Sequence, residues 1–179
     1  MSITDIPTAV ADPAGRKPAP GPLGLVQAFL NTVPLRTGGT DLLGDRPAAV
    51  GWFRTAGVLS ADPVVVSTSE HAGLLRLREL LRAVLMARTA GRPDEQTAAK
   101  LTKAFADGRL VLTVDAVGRA NWATAARAPY PSMVAALAIA IAESVTTGTW
   151  PYLKACAVPG CGWAFYEKSS AAANCSGHT

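Results

Sequence analysis

Cysteine and histidine are scarce. The 179 residues include three cysteines and two histidines. An odd cysteine count makes a poor disulfide framework. Charge is thin as well: charged residues make up 17% of the chain, and the net charge of +4 is not gathered into a cluster. A nucleic-acid binder needs concentrated Lys and Arg to displace counterions from phosphates, so charge alone does not argue for one. The longest apolar run, residues 133–142, is half the length of a membrane span. The first 22 residues have neither a basic n-region nor an apolar h-region, so no secretory signal is expected. There is no Gly-rich phosphate loop, no Gly-x-Ser-x-Gly and no His-Glu-x-x-His, which removes the commonest sequence signatures of nucleotide, acyl-transfer and zinc-protease sites. These absences lead to the expectation of a cytoplasmic protein with no membrane partner.

What is present suits one domain with an appendage. Apolar residues reach 49%, enough for a real core. Residues 1–21, rich in Pro, Ala and Gly, read as a flexible N-terminal arm. Pro22 then opens a helix through "LGLVQAFLNTV", with Val26, Phe29, Leu30 and Val33 in an apolar stripe. Asp45 and Pro47 signal the start of a second helix, and Gly57 its end. "DPVVVSTS" reads as a loop or short strand whose hydroxyls cap the next helix. That helix, over 70–88, is the clearest in the chain: Leu74, Leu77, Leu81, Val84 and Leu85 repeat at three and four. Arg76, Arg78, Glu79 and Arg82 fall on its other faces, and the plain expectation for the arginines is a solvated surface. Asp94 caps a fourth helix. "RLVLTV" and "RANWATA" around "DAVG" read as a β-hairpin near 109–125. Pro131 opens a last helix over 132–147, apolar nearly all round and hence central, with Gly148 behind it. The fold class is therefore α+β: a mostly helical domain over 22–150 with one hairpin, then a small cysteine-bearing tail over 151–179.

All three cysteines lie in that tail, "CAVPGCGWAFYEKSSAAANCSGHT". Cys156 and Cys161 flank a Pro159-Gly160 turn that can bring two thiolates to one ion. Cys175 and His178 complete a Cys-x4-Cys-x13-Cys-x2-His set. Four such ligands suit tetrahedral zinc and leave no position for a catalytic water, which makes the site structural. If only the cysteines bind, a water occupies the fourth position and becomes acidic enough for hydrolysis. Elsewhere, Asn31, Thr32 and Arg36 at the end of the first helix, with Arg76 and Arg82, form a candidate ligand-binding set. The plainer reading of Asn31 is a helix-end side chain bonding its own backbone. His71 beside Glu70 is a candidate general base or anion site, or a solvated helix-start histidine. Trp52, Trp122, Trp150 and Trp163 read as core, or else as anchors for a protein partner or a second copy.

"LKACAVPGCGWAFYEKS" resembles the start of the CGNR zinc finger, in which a Cys-x4-Cys pair precedes Gly-Trp, Phe, an acidic and a basic residue, and Ser. Those positions are Cys156, Cys161, Gly162-Trp163, Phe165, Glu167, Lys168 and Ser169. "LVQAFLNT", "DLL", "WFRTAGVL" and "LRLRELLRAVL" are similar, in the expected order, to the ABATE domain that precedes this finger. The resemblance implies a ligand-responsive or stress-induced transcription regulator of bacteria with a finger directed at DNA. In the family an Arg-rich run follows the Ser; here "SAAAN" carries no charge, and the Cys-Gly-Asn-Arg element does not occur. From residue 151 on, Lys154 and Lys168 stand against Glu167, a net charge of +1. The expectation is thus a regulator with structural zinc and weakened or lost DNA binding. A small enzyme of a specialised pathway on the same scaffold, or a protein–protein adaptor, is the alternative.

Overall fold

The computed structural model describes residues 17–33, 39–60, 62–126, 128–169 and 172–178. Its helices are α1 (Leu23–Leu30), α2 (Arg46–Thr55), α3 (Thr68–Thr89), α4 (Glu95–Phe105) and α5 (Pro129–Thr146). Two antiparallel ribbons accompany them, β1 (Leu110–Val114) with β2 (Ala120–Thr124) and β3 (Leu153–Ala155) with β4 (Ala164–Tyr166). The α+β class therefore holds, with a second small ribbon in the tail.

Local chemistry accounts for most boundaries. The Asp45 carboxylate accepts from Ala48 N at the start of α2, and Asp94 accepts from Thr97 N at the start of α4. Ser67 and Glu70 form a reciprocal capping box at α3, so that helix starts at Thr68, two residues before the position its periodicity predicts. The 64–66 segment before it is a loop. Helix α5 begins at Pro129 rather than at residue 132, because a proline in the first turn has no N–H to leave unpaired. In the arm, Ala19 is buried, and its N–H donates to the Gln27 side chain (2.7 Å), so residues 17–21 run against α1. The rest of the arm lies outside the described residues.

The core sits where α1, α3 and α5 meet. All eight residues of α1 are buried, α3 contributes Leu74, Leu77, Leu81 and Leu85, and α5 contributes Met133, Val134, Leu137 and Ala140. Phe29, Trp52 and Phe53 close it at α2, their rings tilted or edge-on, with the pair Trp52 and Phe53 4.8 Å apart. Helix α5 is long and apolar enough by length and composition to cross a membrane, yet half of it is buried inside the fold, which is how a central core helix reads. Gly108 sits so close to α5 that an added Cβ would meet Ala135 N at 3.0 Å.

The second ribbon is two-faced. Leu153, Ala155 and Ala164 belong to the main core, while Trp163, just before β4, and Phe165 on β4 pack with the three cysteines. This arises from the period-2 alternation of strand side chains. The tail thus shares its inner face with the helical body.

Candidate metal centre

The cysteine cluster is assembled by two turns and one ribbon. Cys156 follows β3, and its N–H donates to Trp163 O (2.9 Å). The chain then reverses through Gly160 and Gly162, whose φ values of 75° and 57° are in the left-handed region open to glycine. Cys161 closes that turn, its N–H donating to Val158 O. Cys175 returns from the far side of the tail, where Ala157 N–H donates to Ala173 O. Lys154 holds the returning segment: it is buried, and its ammonium donates to the carbonyls of Ser169 and Ala172.

The result brings the Sγ atoms of Cys156, Cys161 and Cys175 within 4.8 Å of one another, all three buried. Cys161 Sγ and Cys175 Sγ are 3.7 Å apart, too far for a disulfide bond of about 2.0 Å. Tetrahedral zinc with bonds of about 2.3 Å to sulfur requires an S···S edge of about 3.8 Å, so the observed spacing fits that ion. Burial pushes the Cys161 thiol up to about 11; Cys156 and Cys175 add to the rise, and the Trp163 N–H opposes it. A divalent cation held among the sulfurs would favour the thiolate of Cys161 and offset that burial. His178 falls in the short turn Ser176–His178 directly after Cys175; its side chain lies outside the described residues.

Of the candidate ligand-binding set, Asn31, Thr32 and Arg82 are buried side chains engaged with the protein itself. Asn31 lies against β4: its Nδ2 donates to Ala164 O (3.0 Å) and its Oδ1 accepts from Ala164 N (2.8 Å). It bonds a strand 133 residues away. Arg82 is buried, not solvated. Its guanidinium donates to Leu30 O at the end of α1 (2.5 Å), to Gly162 O beside Cys161 (2.6 Å) and to Glu79 (3.1 Å). Thr32 Oγ1 donates to Phe29 O and accepts from Arg78. Arg76 is exposed on α3, and Arg36 lies outside the described residues. His71 Nε2 is 2.7 Å from Leu43 O, so the half-buried ring is engaged with backbone.

The solvated-face expectation for the α3 arginines therefore fails at Arg78 and Arg82, which are 4% and 5% exposed. Arg78 binds Asp41 through two parallel bonds of 2.7 Å, the bidentate geometry a guanidinium is shaped for. Sequence reasoning gives neither Asp41 nor Lys154 its structural role: Lys154 enters only as a charge and Asp41 only within "DLL". The available signal for the arginines is positional: Arg78 and Arg82 directly follow Leu77 and Leu81, at the margin of the apolar stripe. Arg88 completes the row, donating to the carbonyls of Trp150 and Leu153 and lying 5.0 Å from the Trp150 ring. Burial lowers the pKa of Arg82 and Arg88, and Glu79 offsets part of that at Arg82.

A shallow depression elsewhere, lined by Arg46, Val50, Arg54, Val64 and Val65, includes none of the candidate residues. With this geometry in place, comparison with known families is decisive for the body of the chain. The family model ABATE, described as "Putative stress-induced transcription regulator", matches residues 23–148. The chain belongs to this family. The match runs from the start of α1 to Gly148 and stops before the cysteines, so the metal centre of this ABATE protein rests on its own geometry. No curated protein gave a significant match to the chain.

Proposed function

We propose that this ABATE protein is a cytoplasmic bacterial regulator whose tail holds a structural zinc ion and contributes little grip on DNA. Cys156, Cys161 and Cys175 are three of the ligands, and His178 or a water is the fourth. The observation that carries this reading is the buried trio of sulfurs within 4.8 Å, with the Cys161–Cys175 pair 3.7 Å apart, as expected of two zinc ligands. Weak DNA binding is supported by the fate of the tail's charges. Lys154 is turned inward onto two carbonyls, which leaves exposed Lys168 beside exposed Glu167. A module making several phosphate contacts needs several outward cations.

Metal analysis of the purified protein by mass spectrometry should give about one zinc per chain, and Cys161→Ser should lose it. A ratio near zero in a preparation never exposed to chelator sinks the zinc reading. X-ray absorption separates the fourth ligand: a nitrogen beside three sulfurs selects His178, an oxygen selects water. A gel-shift titration over fragments flanking the protein's own gene tests the DNA part. A salt-sensitive shift at nanomolar protein that Lys168→Ala abolishes would overturn it.

A further inference from the structure

The β1–β2 hairpin gathers most of the exposed large apolar side chains among the described residues. Leu112 is 58% exposed, Val114 64%, Val117 74% and Trp122 46%. Side chains two apart share a sheet face, so Leu110, Leu112 and Val114 align with their partners Thr124, Trp122 and Ala120. That face is apolar and turned to solvent.

The edge of β1 is equally unprotected. Asp115 N donates to Arg119 O and Ala125 N donates to Arg109 O, so the odd-numbered residues of β1 direct their peptide groups toward β2. By the alternation of an antiparallel ladder, the N–H and C=O groups of Leu110, Leu112 and Val114 point outward. Among the described residues the ribbon has two strands only. Exposed edges are ordinarily blocked by charge, proline or a bulge, and "LVLTV" contains neither charge nor proline. A two-stranded ribbon is also marginal by itself, while added strands stabilise it.

We propose that β1 pairs antiparallel with β1 of a second copy of this chain, about a two-fold axis at Leu112. The charges flanking the strand select this occupant. In that register Leu112 faces Leu112 and Leu110 faces Val114 of the other copy, all with outward-directed peptide groups and so in hydrogen-bonded pairs. One step beyond, Arg109 of each copy stands opposite Asp115 of the other, so both ends of the paired stretch carry opposite charges. Pairing β2 with β2 about Trp122 would instead set Arg119 against Ala125, with no complementary charge. A two-fold axis makes the contact self-complementary and closed, giving a dimer with a four-stranded sheet rather than a fibre. Arg109 has a φ of 46°, left-handed for a residue with a side chain, which ends the straight edge there and confines pairing to Leu110–Val114. So short an edge implies a dissociation constant on the order of micromolar.

Leu112→Cys in the zinc-loaded protein should form a disulfide-linked dimer under mild oxidation on a non-reducing gel. Cα atoms of a hydrogen-bonded antiparallel pair lie about 5.5 Å apart, within disulfide reach. Leu110→Cys should not, because its own counterpart lies about 13 Å along the strand. Light scattering should show a dimer at roughly 100 µM protein that dissociates on dilution. Leu112→Pro should leave only monomer, since its N–H is not part of the β1–β2 ladder. Arg109→Glu should weaken association roughly tenfold at low salt and less at high salt. Wild-type protein that stays monomeric at that concentration overturns the proposal. So does cross-linking at residue 110 in preference to 112.

Discussion

Asp41 illustrates how much one carboxylate can do in this fold. It lies just outside the helices, yet it neutralises Arg78, accepts from Leu43 N, and fixes the turn that presents Leu43 to the core. Burial works against its charge, and the bonds from Arg78 and Leu43 N outweigh it, holding the carboxyl below its free value of 3.8. The unfolded chain therefore takes up protons first as pH falls through 4, and the stability contributed by the pair is present above that pH and lost as pH drops through the folded value. Asp41→Asn should flatten this acid limb in urea titrations run between about pH 2.5 and 5. At neutral pH it should cost about 2–3 kcal/mol, because it leaves a buried guanidinium with only the half-exposed Glu79 as its anion. An unchanged acid limb in the variant would assign it to other carboxylates.

Helix α3 joins the body to the tail. Its apolar stripe faces the core, and the adjoining row of Arg78, Arg82 and Arg88 binds Asp41 and backbone carbonyls of α1, of β3 and of the cysteine turn. A guanidinium suits this work because its planar array of donors reaches two carbonyls at once in a fixed geometry, which an ammonium does not. Arg82→Lys should therefore behave more like Arg82→Met than like the wild type. Either should cost about 2–4 kcal/mol through the unpaired carbonyls of Leu30 and Gly162. Hydrogen exchange should show faster exchange at Cys156 and Ala164, with α4 unaffected. The elements themselves are legible in the sequence, because caps and periodicity are local: Asp45, Asp94 and the leucines of α3 each announce a helix within a few residues. The role of the arginines is not, because it depends on carbonyls 52 and 80 residues away from Arg82. For Asn31 the gap is wider still. A polar residue at a helix end reads as a local cap, and nothing nearby in the chain betrays a partner on β4. The cysteine trio is the exception among sites, since few residue types bind metal at such spacing and a turn glycine, Gly160, lies between the first two cysteines.

At the scale of the molecule, the division into helical body and tail is a division of sequence more than of packing. The inner face of β3–β4 lies in the main core, and Arg82, Asn31 and Arg88 bind across the junction. Loosening the cysteine cluster should therefore be felt by α1 and α3. Zinc that binds only the folded form stabilises it by roughly 3 kcal/mol at a hundred times its dissociation constant. For a chain of this size each kcal/mol shifts the midpoint by about 2–4 °C. Stripping the metal with a chelator under reducing conditions should accordingly lower Tm by about 6–12 °C. Calorimetry should retain one cooperative transition before and after, with readded zinc restoring the original midpoint. Two resolved transitions in the stripped protein, the larger at the original temperature, would mean that the tail melts alone and that the polar junction carries no coupling. A single transition shifted as a whole would instead make the occupancy of three cysteines a property to which the entire ABATE fold responds.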